Sequence, residues 1–391
     1  MKKLFSGLFN LLAYPSHSGI IIRDLLKIKY KKQDDRIHLD ETMNWLVNAQ
    51  DHAAGGGVAG VYTFAERWTE PYPETTGYII PTFLNYAELT GDHSYIERAK
   101  RMADWELSIQ LASGAVRGGV GVNEYPIVFN TGQVILGWTS IYKNTGEQKY
   151  LDASVKAASW LVSIQDEDGK WLKHTFNNTP HAYNVRVTWS VLKVYHLTGD
   201  RKFLDAAVKN IQWVLENGQE NGWFRWMGFK ADEVPLTHTI AYTLRGLLES
   251  SFLLEGELKD TIQATVIKAS RHIIGYYDQV KKENRLFSLP GNLDENWKSD
   301  FSYSCLTGDA QMAIIWLKLY RLTGDEDYFK AAERILDDLK TVHNLKSRNK
   351  GIRGGIAGSY PIWGKYVNFG YPNWAAKFFA DALMLKGSVK N

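Results

Sequence analysis

Apolar segments alternate with one-sided amphipathic segments along most of this chain. Residues 75–89 are apolar on nearly every face, which predicts a helix that is buried on all sides. Residues 95–110 carry a single apolar stripe beside charged residues, which predicts a helix with one buried face. Between them, Gly91 suits a left-handed helix end and Asp92 suits a helix start. A buried helix and a one-sided helix joined by a tight turn therefore form the unit of this sequence.

The turn and the start of the one-sided helix recur along the chain. The copies are LTGDHSYIERA from Leu89, NTGEQKYLDAS from Asn144, LTGDRKFLDAA from Leu197 and LTGDEDYFKAA from Leu322. A degenerate copy, LEGELKDTIQA, starts at Leu254, and Lys386-Gly387 is expected to close a last one. The glycines stand about 55 to 70 residues apart, which is longer than the roughly 34 to 47 residues of a two-helix solenoid repeat. The spacing fits two helices and a long loop.

Six buried helices are predicted, at 75–89, 130–143, 183–197, 239–254, 307–322 and 373–385. Each must be covered on both sides, and neither end of the array shows a polar capping repeat, so we predict that the array closes into a ring. The sequence thus predicts an all-α protein, an (α/α)6 toroid over residues 38–391, preceded by an N-terminal extension over 1–37. All buried helices then begin at one end of the ring, where the long loops wall a pocket and the helix starts offer free N–H groups.

The amino-acid composition limits the classes of function that this protein can have. The 391 residues are 45% hydrophobic, enough for one large core. The formal charge of +3 is small, and no basic run is interleaved with aromatic residues, so we expect no nucleic-acid partner. The single cysteine, Cys305, excludes an internal disulfide and is expected to be a buried, inert thiol. Fourteen Trp and twenty-one Tyr exceed the needs of such a core and favour stacking on sugar rings.

The N-terminus allows two interpretations. Residues 4–13 are apolar and follow two lysines, but they are too short to span a bilayer and lack a clear cleavage site. The segment is either a helix packed on the outside of the domain or an amphipathic segment on a membrane surface, aided by Lys27, Lys29, Lys31 and Lys32. We expect a cytoplasmic protein, which the second interpretation would place at the inner membrane surface.

Polar and aromatic residues gather at the predicted starts of the buried helices and in the preceding loops. We expect them to bind a poly- or oligosaccharide. The predicted substrate-binding residues are Arg67, Trp68, Tyr78, Glu124, Asn130, Gln133, Asn184, Trp226, Trp297, Tyr303, Gln311, Trp363, Tyr371, Asn373 and Trp374.

Two carboxylates are candidates for hydrolysis of a glycosidic bond. Such hydrolysis uses a pair about 5 Å apart for retention of configuration, or about 6.5–9.5 Å apart for inversion. Asp309 lies in a strongly apolar helix, where an isolated charge would be costly, so we expect it to face the pore. Glu74 stands just before a buried helix. Asp309 and Glu74 are therefore the predicted acid and base.

The segment His181-Ala-Tyr183-Asn184-Val-Arg186 points to another chemistry. Removing the C5 proton of a uronic acid needs a base and an acid, together with amide or cationic groups that stabilise the enolate. His181, Tyr183, Arg186 and His238 could form this set. The sequence shows neither an HExxH motif nor a cysteine cluster, so we expect no metal and no cofactor.

With these repeats and helix starts, the chain resembles the six-hairpin glycosidase-like superfamily over residues 38–387. That grouping includes (α/α)6 glycoside hydrolases such as unsaturated glucuronyl hydrolases. The segments VFNTGQVILGW, HAYNVRVTW, PLTHTIAYTLRGLLE, SCLTGDAQMAIIWL and GSYPIWGKYVNFGYPNWAAKFFADAL resemble uncharacterised proteins of surface-polysaccharide biosynthesis. NEYP at 123–126, followed by Asn130, is similar to part of the glucuronyl C5-epimerases. The resemblance implies the toroid and a glycan substrate.

Three functions remain open at this point. The first is hydrolysis of a glycosidic bond by Asp309 and Glu74. The second is a uronate lyase or C5-epimerase that uses the histidine set. The third is a non-catalytic glycan-binding protein of polysaccharide assembly.

Overall fold

The computed structural model describes residues 15–121, 123–284, 286–299 and 302–390. In this part of the chain there are thirteen α-helices and a few very short strands, which confirms the all-α prediction. Helix α1 spans Pro15–Leu25. The six outer helices are α2 (Asp35–His52), α4 (Ser94–Ile109), α6 (Gln148–Ser163), α8 (Arg201–Glu216), α10 (Glu257–Lys282) and α12 (Glu326–Val342). The six inner helices are α3 (Pro73–Thr90), α5 (Val128–Thr145), α7 (Val185–Thr198), α9 (Thr237–Ser251), α11 (Leu306–Thr323) and α13 (Asn373–Lys390).

The inner helices form a closed ring. Each packs against the next in chain order, and α13 packs against α3. Each of the first five inner helices also packs against the outer helix that follows it across the tight turn, whereas α13 packs against α2. The sixth pair is thus made by the two ends of the toroid, where Lys386 Nζ lies 3.0 Å from Asp35 Oδ2. The predicted (α/α)6 toroid is confirmed.

The tight turns explain why the repeats are recognisable. Gly91, Gly146, Gly199 and Gly324 each have φ between 70° and 74° and cap an inner helix in the left-handed conformation that glycine adopts at low cost. Of the two remaining expected copies, the one at Leu254 does join α9 to α10, although its glycine does not cap the inner helix, and the one at Lys386-Gly387 is wrong. Gly256 stands before α10 as its N-cap, and Gly387 lies inside α13.

Close contact between inner helices also depends on glycine. A Cβ atom at Gly77 of α3 would lie 2.5 Å from Val134 Cα of α5. A Cβ atom at Gly308 of α11 would lie 2.9 Å from the backbone of Thr237 and His238 in α9. Without a side chain at these crossings, the backbones approach closely enough to leave little space between helices that are buried all round.

Long loops gather at the N-terminal ends of the inner helices, as predicted. They contain β1 (Val61–Thr63), β2 (Arg67–Trp68), β3 (Ser304–Cys305), β4 (Ser359–Tyr360) and β5 (Gly370–Pro372). The first sheet has the antiparallel order β2-β1-β5, in which Tyr62 pairs with Trp68 and Tyr371, and β3 pairs with β4. These sheets join the loops of the first, fifth and sixth inner helices into one wall.

Helix α1 packs on this wall. His17 and Ile20 are buried; the His17 ring stacks on Phe64 at 4.1 Å, and its Nε2 lies 3.2 Å from the Tyr62 hydroxyl. Helix α2 begins at Asp35, slightly before the expected boundary at 38, and residues 1–14 lie outside the described residues. No helix among the described residues is long and apolar enough to cross a membrane.

Candidate active site

A cavity of about 320 Å3 opens at the N-terminal end of the inner ring. This volume is at the lower end of the range for small-molecule pockets. Starts of inner helices and their loops supply its walls: Tyr72, Glu74, Gly119, Tyr125, Ile127, Phe129, Asn130, Phe176, Tyr183, Asn184, Phe229, His238, Tyr242, Tyr366 and Trp374. The ring therefore does place its helix starts around one pocket.

Glu74 is the carboxyl group of this pocket. It lies in the first turn of α3, behind Pro73, and the Tyr72 hydroxyl donates a hydrogen bond of 2.5 Å to its Oε2. Burial raises the pKa of Glu74 to about 7, although the Tyr72 hydrogen bond and the charge of Arg186 act in the opposite direction. A carboxyl group with this pKa exchanges its proton near neutral pH, which is what a general acid–base requires.

His238 has a different electrostatic character. Gln311 Nε2 lies 2.7 Å from His238 Nδ1 and donates to it, which leaves the ring proton on Nε2. Burial, with a smaller contribution from Arg186, lowers the pKa of His238 to about 3. The imidazole is therefore neutral, and its Nε2–H group is suited to donating a hydrogen bond rather than to accepting a proton.

Two asparagines bring amide groups to the cavity. Asn184 is 2% exposed, and its Nδ2 has no hydrogen-bond partner in the described part of the protein. Asn130 Nδ2 instead donates to Arg117 O at 2.9 Å and so holds its own loop. Since a buried N–H group without a partner is costly, Asn184 is the amide best suited to bind a ligand oxygen.

Aromatic rings form most of the remaining wall. Phe129 packs edge-on against Tyr183 at 5.3 Å and also contacts Tyr242 at 5.1 Å. Across the cavity, Trp374 Nε1 donates to the Tyr366 hydroxyl at 2.8 Å. Rings held in this way present rigid apolar faces to the cavity, of the kind that can stack on a sugar ring.

Several predicted residues lie behind this wall and support it. Arg186 Nε donates to Gln133 Oε1 at 3.0 Å, and the Tyr78 and Tyr242 hydroxyls are 3.4 Å apart. Asn373 Nδ2 donates to Ala59 O and Thr75 Oγ1. With Gln311, these residues position the groups that line the cavity.

His181 does not line the cavity. Its Nδ1 lies 3.0 Å from Gly228 O and its Nε2 2.8 Å from Phe176 O, while its ring stacks on Tyr183 at 4.5 Å. Both nitrogens face loop carbonyls. His181 thus connects two loops, and of the HAYNVR segment it is Tyr183 and Asn184 that reach the pocket.

Asp309 faces away from the cavity. It is fully buried in the first turn of α11, and the charges that influence it belong to Asp338 and Lys281 of the outer helices. Burial raises the pKa of Asp309 well above its usual range. The structure therefore does not bring Asp309 together with Glu74.

The other predicted binding residues lie outside the cavity lining. Arg67, Trp68 and Tyr371 belong to the β2-β1-β5 sheet, and Tyr303 is buried next to β3. Trp297 lines a separate surface groove with His272, Trp363 is 39% exposed, and the Trp226 carbonyl accepts from Ala182 N. Glu124 is exposed beside Tyr125.

Sequence reasoning left several lining residues out of its predicted site. Tyr72, Phe129 and Tyr242 stand at or near the starts of inner helices and Tyr366 stands in the loop before one, so position alone could have suggested them. Phe176 and Phe229 come from loops without such a signal. Among the described residues no cluster of three or more His, Cys, Asp and Glu could hold a metal ion.

Comparison with known proteins identifies the fold. An unsaturated glucuronyl hydrolase specific for heparin superposes with a TM-score of 0.71 at 16% identity, covering 90% of this chain and 96% of the other. A sugar epimerase from a ruminal bacterium gives 0.69 at 14% identity, covering 90% and 97%. A cellobiose 2-epimerase from Spirochaeta thermophila gives 0.68 at 15% identity, covering 90% and 94%. The chain shares the fold of sugar hydrolases and sugar epimerases.

These likenesses extend over nearly whole chains, so the toroid is common to all four proteins. No family model matches this sequence, and no curated protein matches it. At such low identity the fold is shared while the chemistry has to be argued from the site.

Proposed function

We propose that this protein is a carbohydrate-active enzyme that hydrolyses an oligosaccharide, with Glu74 as general acid and then as general base. One observation carries the proposal: within the described residues, Glu74 is the carboxyl group that lines the cavity, and its pKa is about 7. At neutral pH both of its protonation states are populated, so one residue can serve both steps.

A single acid–base group restricts the substrate. Ordinary glycoside hydrolysis uses two carboxyl groups, and Asp309 faces away from Glu74. A C4–C5 unsaturated uronate, the sugar that a polysaccharide lyase leaves at a chain end, needs only one. Its double bond is an enol ether, so protonation at C4 directly creates an oxocarbenium ion. The likeness to a glucuronyl hydrolase that acts on unsaturated sugars supports this choice.

The proposed steps use this chain's own groups. The Glu74 carboxyl donates its proton to C4, and the resulting carboxylate takes a proton from the water that adds at C5. The hydrated sugar is a hemiketal, which opens and releases the glycosidic oxygen at C1. His238 and the Asn184 amide donate hydrogen bonds to sugar oxygens, and the rings of Phe129 and Trp374 exclude bulk water.

The test is turnover of unsaturated disaccharides prepared with lyases from heparin and chondroitin, followed by the loss of ultraviolet absorbance of the double bond. We expect Glu74→Gln to lose about 10²- to 10⁴-fold in kcat. The matched control is Glu124→Gln, which changes an exposed carboxylate next to the lining residue Tyr125 and should retain activity. Equal activity of wild type and Glu74→Gln would contradict the proposal.

A sugar epimerase is the second candidate. Here Glu74 would remove a proton next to a carbonyl or carboxylate, and the neutral His238 would stabilise the enolate as a donor. Two of the three structures compared above are epimerases. Deuterium uptake from D2O into intact sugar, at C5 of a uronate or C2 of cellobiose, would favour this candidate over hydrolysis.

A uronate lyase and a non-catalytic glycan-binding protein give other results in the same experiments. New ultraviolet absorbance from an intact uronate polymer would indicate β-elimination. Heat release on sugar binding, with no turnover and no deuterium uptake, would indicate a binding protein of polysaccharide assembly. Substitution of Trp374 should then weaken binding, whereas Glu74→Gln should have little effect.

We also propose that the N-terminal region contacts a membrane surface. Ile22, Leu25, Leu26 and Ile28 are 47–64% exposed at the end of α1. Lys27 and Lys31 adjoin them, whereas Lys29 lies over the rings of Phe287 and Tyr360 and Lys32 pairs with Asp337. Large apolar groups beside cations suit an anionic bilayer surface.

Cosedimentation with vesicles tests this contact. The full chain should bind vesicles that contain anionic lipid, and Leu25→Asp combined with Leu26→Asp should abolish binding. A single change at an exposed position of α10, Lys268→Asp, lowers the net charge by the same two units as the leucine changes and is the control for the altered charge. Binding that survives the leucine changes would refute the proposed contact.

A further inference from the structure

Positively charged side chains fill the axis of the toroid behind the cavity. Arg186 of α7, Arg245 of α9 and Lys377 of α13 are 1%, 7% and 3% exposed. All three lie around the ring of Phe378: the two guanidinium carbons are 5.7 and 5.8 Å from its centre, and Lys377 Nζ is 4.7 Å away. The Trp189 ring is shared as well, at 5.6 Å from Arg186 and 5.8 Å from Arg245. Three inner helices thus direct cations to one buried region.

Carboxylates do not balance these charges. Asp381 pairs with Lys377 and also accepts a hydrogen bond from Thr82. Glu249 is shared, since it pairs with Arg245 at 3.3 Å and with Lys318 at 3.1 Å. The polar partner of Arg186 is the uncharged Gln133. Lys193 Nζ also lies 5.6 Å from the Trp189 ring. Five cations therefore face two carboxylates. Glu74 also influences Arg186, but its pKa of about 7 leaves it partly neutral.

Two donors in this region lack partners. Arg186 Nη1 and Arg245 Nη1 are buried, and neither has a hydrogen-bond partner among the described residues. Burial and the neighbouring Arg245 lower the pKa of Arg186 to about 10. A buried cation with an unsatisfied donor is costly, and two cations that share the same aromatic neighbours also repel each other. Such an arrangement is stable when a negative charge lies between them.

We propose that a halide ion, chloride under physiological conditions, binds between Arg186 Nη1 and Arg245 Nη1 in the axis of the toroid. A monatomic anion suits a buried site bordered by Trp189 and Phe378, where a larger oxyanion would need additional donors. The ion reduces the excess positive charge of the ring and maintains the Arg186–Gln133 contact behind the cavity. This inference is independent of the proposed reaction, because it is measured through stability and density instead of turnover.

The first experiment measures the Tm of the protein in sodium chloride and in sodium gluconate at equal ionic strength. We expect a saturable rise in Tm with chloride or bromide that gluconate does not produce. Arg245→Gln should remove this rise. Arg334→Gln, which changes an exposed arginine paired with Asp278, should keep it. Equal curves in chloride and gluconate, or an undiminished chloride effect in Arg245→Gln, would overturn the proposal.

The second experiment does not depend on the folding of any variant. Crystals of the wild-type protein are grown in bromide, and the anomalous signal of bromine is mapped. The proposal predicts a peak between the guanidinium groups of Arg186 and Arg245. Peaks confined to the protein surface would show adventitious ions only and would refute the site.

Discussion

Glu74 supplies a quantitative test of the electrostatics of the cavity. Replacing it with Gln keeps the size and the acceptor for the Tyr72 hydroxyl but removes the titration. The pKa of about 7 in the folded protein compares with 4.5 for an ordinary glutamate. Because the folded state holds this proton more tightly than the unfolded chain, the wild type loses stability as pH rises from 4.5 through 7. Well above pH 7, the free energy of unfolding of the wild type is lower by about 3 kcal/mol on this account.

The variant should therefore become more stable than the wild type as pH rises. We expect its advantage in the free energy of unfolding to be about 1 kcal/mol near pH 5 and about 3 kcal/mol near pH 8.5. Urea unfolding followed by tryptophan fluorescence at both pH values measures this difference. Glu124→Gln, at an exposed position, should change stability by less than about 0.5 kcal/mol at either pH.

The reasoning is refuted if the advantage of Glu74→Gln is the same at both pH values. A constant difference would mean that the variant alters packing or a hydrogen bond without relieving a buried charge. An advantage that shrinks with rising pH would mean that the carboxylate is stabilised in the fold, opposite to the direction worked out here.

Four further predictions concern the site and the ring. The kcat of the proposed hydrolysis should fall as pH rises above about 7, as Glu74 loses its proton, and a rate that keeps rising there would contradict its role as the acid. Asp309→Asn should keep wild-type kcat at pH 7, because that carboxyl group does not line the cavity; loss of turnover in a folded variant would refute this. Asn184→Ala should raise KM about 2- to 10-fold at unchanged Tm, since its Nδ2 bonds to no described residue, and an unchanged KM would exclude it from binding. Gly77→Ala should lower the free energy of unfolding by about 2–3 kcal/mol, measured with urea, because the new Cβ would meet Val134. Gly275→Ala, at an open position within α10, should raise the free energy of unfolding by about 0.5–1 kcal/mol. Equal effects of the two variants would contradict the close crossing.

The number and order of helices followed from the sequence because their signals are local. A glycine with positive φ can end a helix whatever surrounds it, so Gly91, Gly146, Gly199 and Gly324 mark their turns clearly. Gly256 and Gly387 lack the full motif: Gly256 precedes the first residue of α10, and Gly387 is part of the continuous helix α13. Closure of the ring was also predictable, because helices that are apolar on every face need neighbours on both sides.

Only the tertiary structure determined which side chains line the cavity. Glu74 and Asp309 both stand in the first turn of an inner helix, yet one lines the cavity and the other faces the outer ring. An inner helix that is apolar all round has no polar face to set its rotation, so the pattern cannot tell which polar residue points inward. Rotation is set where backbones touch, at Gly77 against Val134 and at Gly308 against α9. With Gly308 turned toward α9, the next residue, Asp309, is carried away from the cavity.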